Sequence, residues 1–171
     1  MMTHIKKPLG IIDPSNLQDD ETFLLEIPYE MFEDKSIKLF SKKNHLVFWC
    51  DFYCIFDKKR SQTQEEFPLA ALPWFIDTIE ERFWNYKPRS TEKPGDVSED
   101  ITVDGEKIGI NPMRHCCAEN LPGYSFWNRN RESYISNTTP QNRHIPKYML
   151  KDWLLEDLKR ISSELGLKTY P

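Results

Sequence analysis

The strongest pattern in the chain is the run from Leu46 to Phe56, LVFWCDFYCIF. On an extended strand Leu46, Phe48, Cys50, Phe52, Cys54 and Phe56 share one face, and Val47, Trp49, Asp51, Tyr53 and Ile55 share the other. Both faces are largely apolar, and aromatic and β-branched residues dominate. This predicts a central strand covered on both sides. Asp51 breaks its face, as an edge residue, a hydrogen-bonded one or part of a site. Thr22–Ile27, closed by Pro28, and Ile37–Phe40 are shorter strand signals, and Asp57–Gln64 reads as a charged turn.

Two stretches carry helical spacing instead. Between Pro68 and Trp84, residues Leu72, Phe75, Ile76, Ile79 and Phe83 recur at intervals of three and four and form one stripe. Pro73 fits only a first turn, so the helix is expected over about 71–85. The second helix, 146–165, opens at Pro146 and carries Leu150, Trp153, Leu154, Leu158, Ile161 and Leu165 on one face. Gly166 supplies the stop, and Glu156 and Arg160 are spaced to pair on the wet face.

Between the helices, Asn85–Asp100 reads as a long exposed loop, with Pro88, Pro94 and Gly95 among charges. In Ile101–Ile110, Asp104-Gly105 stands between apolar alternations, which signals a type I′ hairpin. Met113–Ala118, Tyr124–Trp127 and Glu132–Ser136 read as further strands, with a turn at Pro122-Gly123. The order is strands, helix, strands, helix: an α+β fold, a mostly antiparallel sheet packed by two main helices. Residues 1–20, polar with scattered Pro and Gly, are expected to form an irregular N-terminal arm of a single domain spanning 1–171. The stretches FPLAALPWFIDTI and IPKYMLKDWLLEDL both open on a proline and carry a mid-helix Trp. That match is too short to establish a duplication.

Composition narrows the class. Apolar residues make up 39% and charged residues 29% of 171 positions, which is enough for one packed core. No apolar stretch approaches the ~18 residues of a membrane span. Lys6 and Lys7 are followed by acidic residues rather than a signal-peptide core, so a cytoplasmic setting is expected. Cys50 and Cys54, four apart on a strand, lie about 13 Å from each other. Cys116 and Cys117 would point to opposite faces of a strand. Neither spacing makes a metal site or a disulfide framework, and no cofactor is expected.

Two groups of residues carry candidate chemistry. His115 and His144 lie among Arg114, Arg129, Arg131 and Arg143, an arrangement that suits phosphodiester cleavage, with one histidine to take a proton, one to give it and guanidinium to hold phosphate. Tyr124, Phe126, Trp127 and Tyr134 interleave with arginines as a nucleic-acid surface would, but a net charge of −4 opposes a polyanion. These aromatics read as core, and these arginines as partners of the protein's own carboxylates.

The second group is acidic. From Ile11 to Asp34 the chain holds Asp13, Asp19, Asp20, Glu21, Glu26, Glu30, Glu33 and Asp34 with no Lys or Arg among them. Such a block speeds association with a basic partner. The expectation is a non-catalytic protein binder whose partner-binding residues are Asp19, Asp20, Glu21, Glu26, Glu30, Glu33 and Asp34. In physical class it matches immunity proteins that cover the active site of a basic bacterial toxin, an analogy of class alone. The alternatives are an enzyme acting on phosphodiesters or phosphate ligands through His115, His144 and Arg114, and a structural or scaffolding subunit. No motif fixes an oligomeric state.

Overall fold

Eight strands build two antiparallel four-stranded sheets, each followed by a helical segment, in a computed structural model that describes residues 4–28, 35–85, 98–117, 120–135 and 140–169. The first sheet runs β1 (Glu21–Ile27), β2 (Ser36–Lys42), β3 (His45–Cys54) and β4 (Lys59–Pro68) in spatial order. The second runs β5 (Glu99–Val103), β6 (Glu106–Cys116), β7 (Leu121–Glu132) and β8 (Pro140–Pro146). After β4 come a 3-10 turn at Leu69–Ala71, helix α1 (Leu72–Asp77) and a wide π-type stretch at Thr78–Trp84. After β8 come α2 (Lys147–Met149), a π-type stretch at Leu150–Leu154 and α3 (Leu155–Glu164). The α+β class read from the sequence is the observed one.

The two halves repeat each other in register. Phe48 lies between Leu39 and Glu65, and Phe126 lies between Ile110 and Arg143. Glu65 and Arg143 are 78 positions apart. The same offset joins Phe48 to Phe126, Phe67 to Ile145, Pro68 to Pro146 and Leu72 to Leu150, and all of these are buried. Pro68 and Pro146 do the same work. Each ends a strand with extended backbone (φ −51°, ψ 127° and φ −59°, ψ 143°) and starts a helix without contributing an amide. The shared opening proline in the sequence thus marks a repeated ββββα unit.

One apolar core spans both halves. Phe75 of α1 lies edge-on to Phe67 of its own sheet, 5.5 Å between centroids, and 5.3 Å from Phe126 of the other. Trp84 donates to the Tyr124 hydroxyl at 2.9 Å, so the first helical segment reaches the second sheet. Met149 and Leu154 return the exchange against Ile27, Ile37 and Phe48.

Several sequence expectations shift. The turn placed at Asp57–Gln64 is mostly β4. Its Thr63, Gln64, Glu65 and Glu66 are all buried, and a pattern that equates polar with exposed misses such a strand. β8 escapes for the same reason, since of PQNRHIP only Ile145 is a buried aliphatic residue. Pro122-Gly123 lies inside β7 rather than at a turn, and Tyr124–Trp127 belongs with Glu132 to that one strand. β3 is interior to its sheet but stops at Cys54, leaving Ile55 and Phe56 exposed, the latter 92%. Asp104 and Gly105 take positive φ (49° and 74°) between β5 and β6, the geometry the Asp-Gly signal predicts. Most of the loop expected at Asn85–Asp100 lies outside the described residues.

Candidate functional site

β4 and β8 are the facing edges of the two sheets, and no strand ladder joins them. Side-chain amides bridge the gap. Glu66 N–H donates to Gln141 Oε1 at 2.6 Å, and Asn128 Nδ2 donates to the Glu66 carbonyl at 2.8 Å. The buried edge backbone is thereby satisfied without a ladder.

Charged groups continue this seam. Arg131 Nε donates to Glu106 Oε2 at 3.0 Å and its Nη2 to Glu106 Oε1 at 2.6 Å, a two-pronged pair. Asn128 Nδ2 adds a bond at 2.7 Å, and His45 Nε2 lies 3.1 Å from Glu106 Oε1. Burial alone would raise the Glu106 carboxyl, but the hydrogen bonds from His45, Arg131 and Asn128 outweigh it and hold the group well below the usual range. Tyr134 donates to Glu66 Oε2 at 2.6 Å, and burial together with that carboxylate pushes its phenol up.

The N-terminal segment is laced across this seam. Lys6 N–H donates to the Asn130 carbonyl and Lys6 O accepts from Glu132 N–H, a short parallel bridge to β7. Leu9 N–H reaches Glu66 Oε1 (2.9 Å), Gly10 N–H the Tyr134 hydroxyl (2.9 Å) and Ile12 N–H Gln64 Oε1 (3.0 Å). Ile12 then buries its side chain with Phe40, Val47 and Trp49 on the outer face of the first sheet. Hiding that side chain contributes roughly 1.5–3 kcal/mol. The seam is therefore an anchor, since its carboxylates are already met by donors from the chain itself.

What the anchor holds in place is the acidic stretch. Asp13-Pro14-Ser15-Asn16 closes a turn through Asn16 N–H to the Asp13 carbonyl (3.0 Å), with proline in its favoured second position. The Ser15 hydroxyl and amide also donate to Asp13 Oδ1 and hold that carboxyl below its usual range. A second turn, Gln18 to Glu21, closes at 3.0 Å and puts Asp19 and Asp20 at its two central, exposed positions. Glu21 is buried and accepts from Lys42 Nζ at 2.7 Å, and the same ammonium donates to the Gly10 carbonyl at 3.2 Å. Glu21 thus fixes the turn. Glu26 is exposed farther along β1.

Asp13, Asp19, Asp20 and Glu26 have no cation within ion-pair distance among the described residues. Lys38, the cross-strand neighbour of Glu26, sends its ammonium over the Trp49 ring instead, 5.8 Å from the centroid. Leu17 and Phe23, the latter 48% exposed, stand beside the carboxylates. β1 pairs only with β2, so its other edge carries no partner strand among the described residues. The remaining acidic positions singled out by sequence, Glu30, Glu33 and Asp34, lie outside the described residues.

The histidine group looks different. Arg114 and His115 are exposed in an irregular stretch of β6, and His144 is exposed on β8. No hydrogen bond, ion pair or shared pocket joins the two imidazoles among the described residues. The residue of that turn which meets His144 is Cys117, whose thiol donates to the His144 carbonyl at 3.8 Å. Partial burial and then the neighbouring Arg143 push His144 below the usual imidazole value. Two of the arginines are engaged inside the protein, Arg131 with Glu106 and Arg143 with Glu65, while exposed Arg129 lies over the Trp127 ring at 4.6 Å. Asp51 pairs with Arg60 across the β3–β4 hairpin at 2.6 Å. No cluster of three or more metal-ligating side chains is present among the described residues, and no helix there is long and apolar enough to cross a membrane.

No known protein-family model matches this chain, and no curated protein matches it either.

Proposed function

We propose that this protein is a non-catalytic binding domain that presents the acidic β1 edge to a basic protein partner. The observation that supports this reading is the set of unneutralised carboxylates at Asp13, Asp19 and Asp20, in the turns that lead into the edge strand β1, and at Glu26, which with exposed Phe23 is on that strand. The buried carboxylates, by contrast, are paired with the protein's own cations, as in Glu21–Lys42, Glu65–Arg143 and Glu106–Arg131. An uncompensated acidic edge steers a cationic surface towards it, and the exposed side chains of Leu17 and Phe23 supply apolar contact area once it arrives. An immunity protein that covers a basic toxin has this physical arrangement, and a toxin of that kind is the partner we have in mind.

The test is paired affinity capture from the native cell extract, with the wild-type chain and an Asp19→Lys/Asp20→Lys variant as baits. The proposal expects a basic protein held by the wild type at low salt, released at high salt and missing from the variant. The same proteins on both baits would contradict it. No specific observation favours the phosphodiester or scaffolding readings.

A further inference from the structure

The end of β6 carries two adjacent thiols. Consecutive side chains of a strand point to opposite faces, which would keep Cys116 and Cys117 apart. Here Cys117 leaves the strand with φ 59°, a left-handed conformation uncommon for a residue with a side chain. That turn swings its thiol back, and the two Sγ atoms lie 3.4 Å apart.

The surroundings suit such a pair. Cys116 is fully buried, and its thiol occupies space that exists only because residue 123 is glycine. A Cβ on Gly123 would stand 2.6 Å from Cys116 Sγ. Cys117 is half-buried, and its thiol lies against the His144 carbonyl. One sulfur is thus within reach of solvent and the other is held behind it, as in an attacking and resolving pair.

We propose that Cys116 and Cys117 form a reversible dithiol–disulfide site whose co-substrate is a small-molecule disulfide. The Cys117 thiolate attacks one sulfur of the reagent, the reagent's S–S bond breaks, and one small thiol leaves with the proton that Cys117 gave up. The Cys116 thiolate then attacks Cys117 Sγ, breaks the mixed disulfide and releases the second small thiol with the second proton. Two protein thiols are oxidised by two electrons, and one small disulfide is reduced to two thiols. A disulfide places its sulfurs about 2.04 Å apart, so closure brings them about 1.4 Å nearer, and because adjacent Cα atoms stand only about 3.8 Å apart the ring it closes is strained and the bond readily reduced again. The site is independent of the acidic edge and of any partner bound there.

The experiment treats the folded full-length chain with oxidised glutathione, blocks remaining thiols with an alkylating agent and maps tryptic peptides by mass spectrometry. Cleavage after Arg114 and Arg129 places both cysteines in the peptide 115–129, while Cys50 and Cys54 fall in 44–58. The expected product is peptide 115–129 lighter by two hydrogens, unalkylated, and returned to the dithiol by dithiothreitol. A Cys116→Ser variant should stop at the glutathione adduct on Cys117. Two alkylated thiols, a lasting glutathione adduct in the wild type, or a Cys117 disulfide between two chains would each overturn the proposal.

Discussion

Glu65 and Arg143 occupy the same position in the two halves of the protein, each three residues ahead of the proline that closes its strand, and they form an ion pair across the seam. Arg143 Nε donates to Glu65 Oε2 at 2.7 Å. The repeat has therefore diverged in charge at the place where its two copies meet. Burial pushes the Glu65 carboxyl up against the pull of Arg143, so the pair rests on a balance between desolvation and attraction. Arg143→Met should cost about 3–5 kcal/mol, because it leaves Glu65 buried without its cation. Glu65→Leu combined with Arg143→Met should recover most of that loss. Urea denaturation of the two variants checks both values, and a double variant as unstable as the single one would contradict this account.

Glu106 makes the fold acid-sensitive. Its carboxyl is held below the ordinary glutamate value of 4.5, so between that value and its folded one the unfolded chain binds more protons. Stability from Glu106 is complete above that window and is lost as the pH falls through it. Glu65, raised by burial, works in the opposite sense and relieves some strain on protonation. A Glu106→Gln variant should lose about 3 kcal/mol at neutral pH and show a flatter decline below pH 4.5. Denaturation midpoints taken across pH 3–7 read both effects.

Gly109 is required by its cross-strand neighbour Trp127. A Cβ at Gly109 would sit 2.1 Å from Trp127 Cζ2 and 2.7 Å from the Glu99 carbonyl. The indole has little freedom to retreat, since Asn111 accepts its N–H at 3.1 Å and Arg129 covers its face. Gly109→Ala should destabilise by about 1–3 kcal/mol, read from thermal or chemical unfolding. A neutral result would show that Trp127 moves more easily than these contacts imply.

Ile12 pins the acidic stretch to the outer face of the first sheet. Ile12→Ala should cost about 2–4 kcal/mol in global or local stability. Hydrogen exchange distinguishes the two, because local release would expose the amides of Leu9, Gly10 and Ile12 while the β3 amides stay protected.

The sequence was legible wherever burial and hydrophobicity coincide. The first half of β3 and both helical stripes follow that rule, and the Asp104-Gly105 hairpin follows from its turn residues. The fold class follows from their order. β4 and β8 do not, because Gln64, Glu66, Gln141 and Arg143 are drawn into a polar seam by partners distant in sequence. The repeat showed in the sequence only where its helices open, at Pro68 and Pro146; its strands hid it, since Glu65 and Arg143 are chemically opposite though structurally equivalent. Of the acidic residues, charge alone could not separate Glu21, which pairs inward with Lys42, from Asp19 and Asp20, which face solvent at the centre of a turn. The thiol pair depended on a left-handed Cys117, which nothing in the residue types announces.

The acidic edge is the central claim, and association kinetics test it most directly. The partner captured by the wild-type chain would be mixed with wild-type protein and with Asp19→Lys/Asp20→Lys protein at low and high salt. The account predicts an association rate about tenfold lower for the variant at low salt, with the two rates converging as salt screens the charges. Equal association rates at low salt would contradict it.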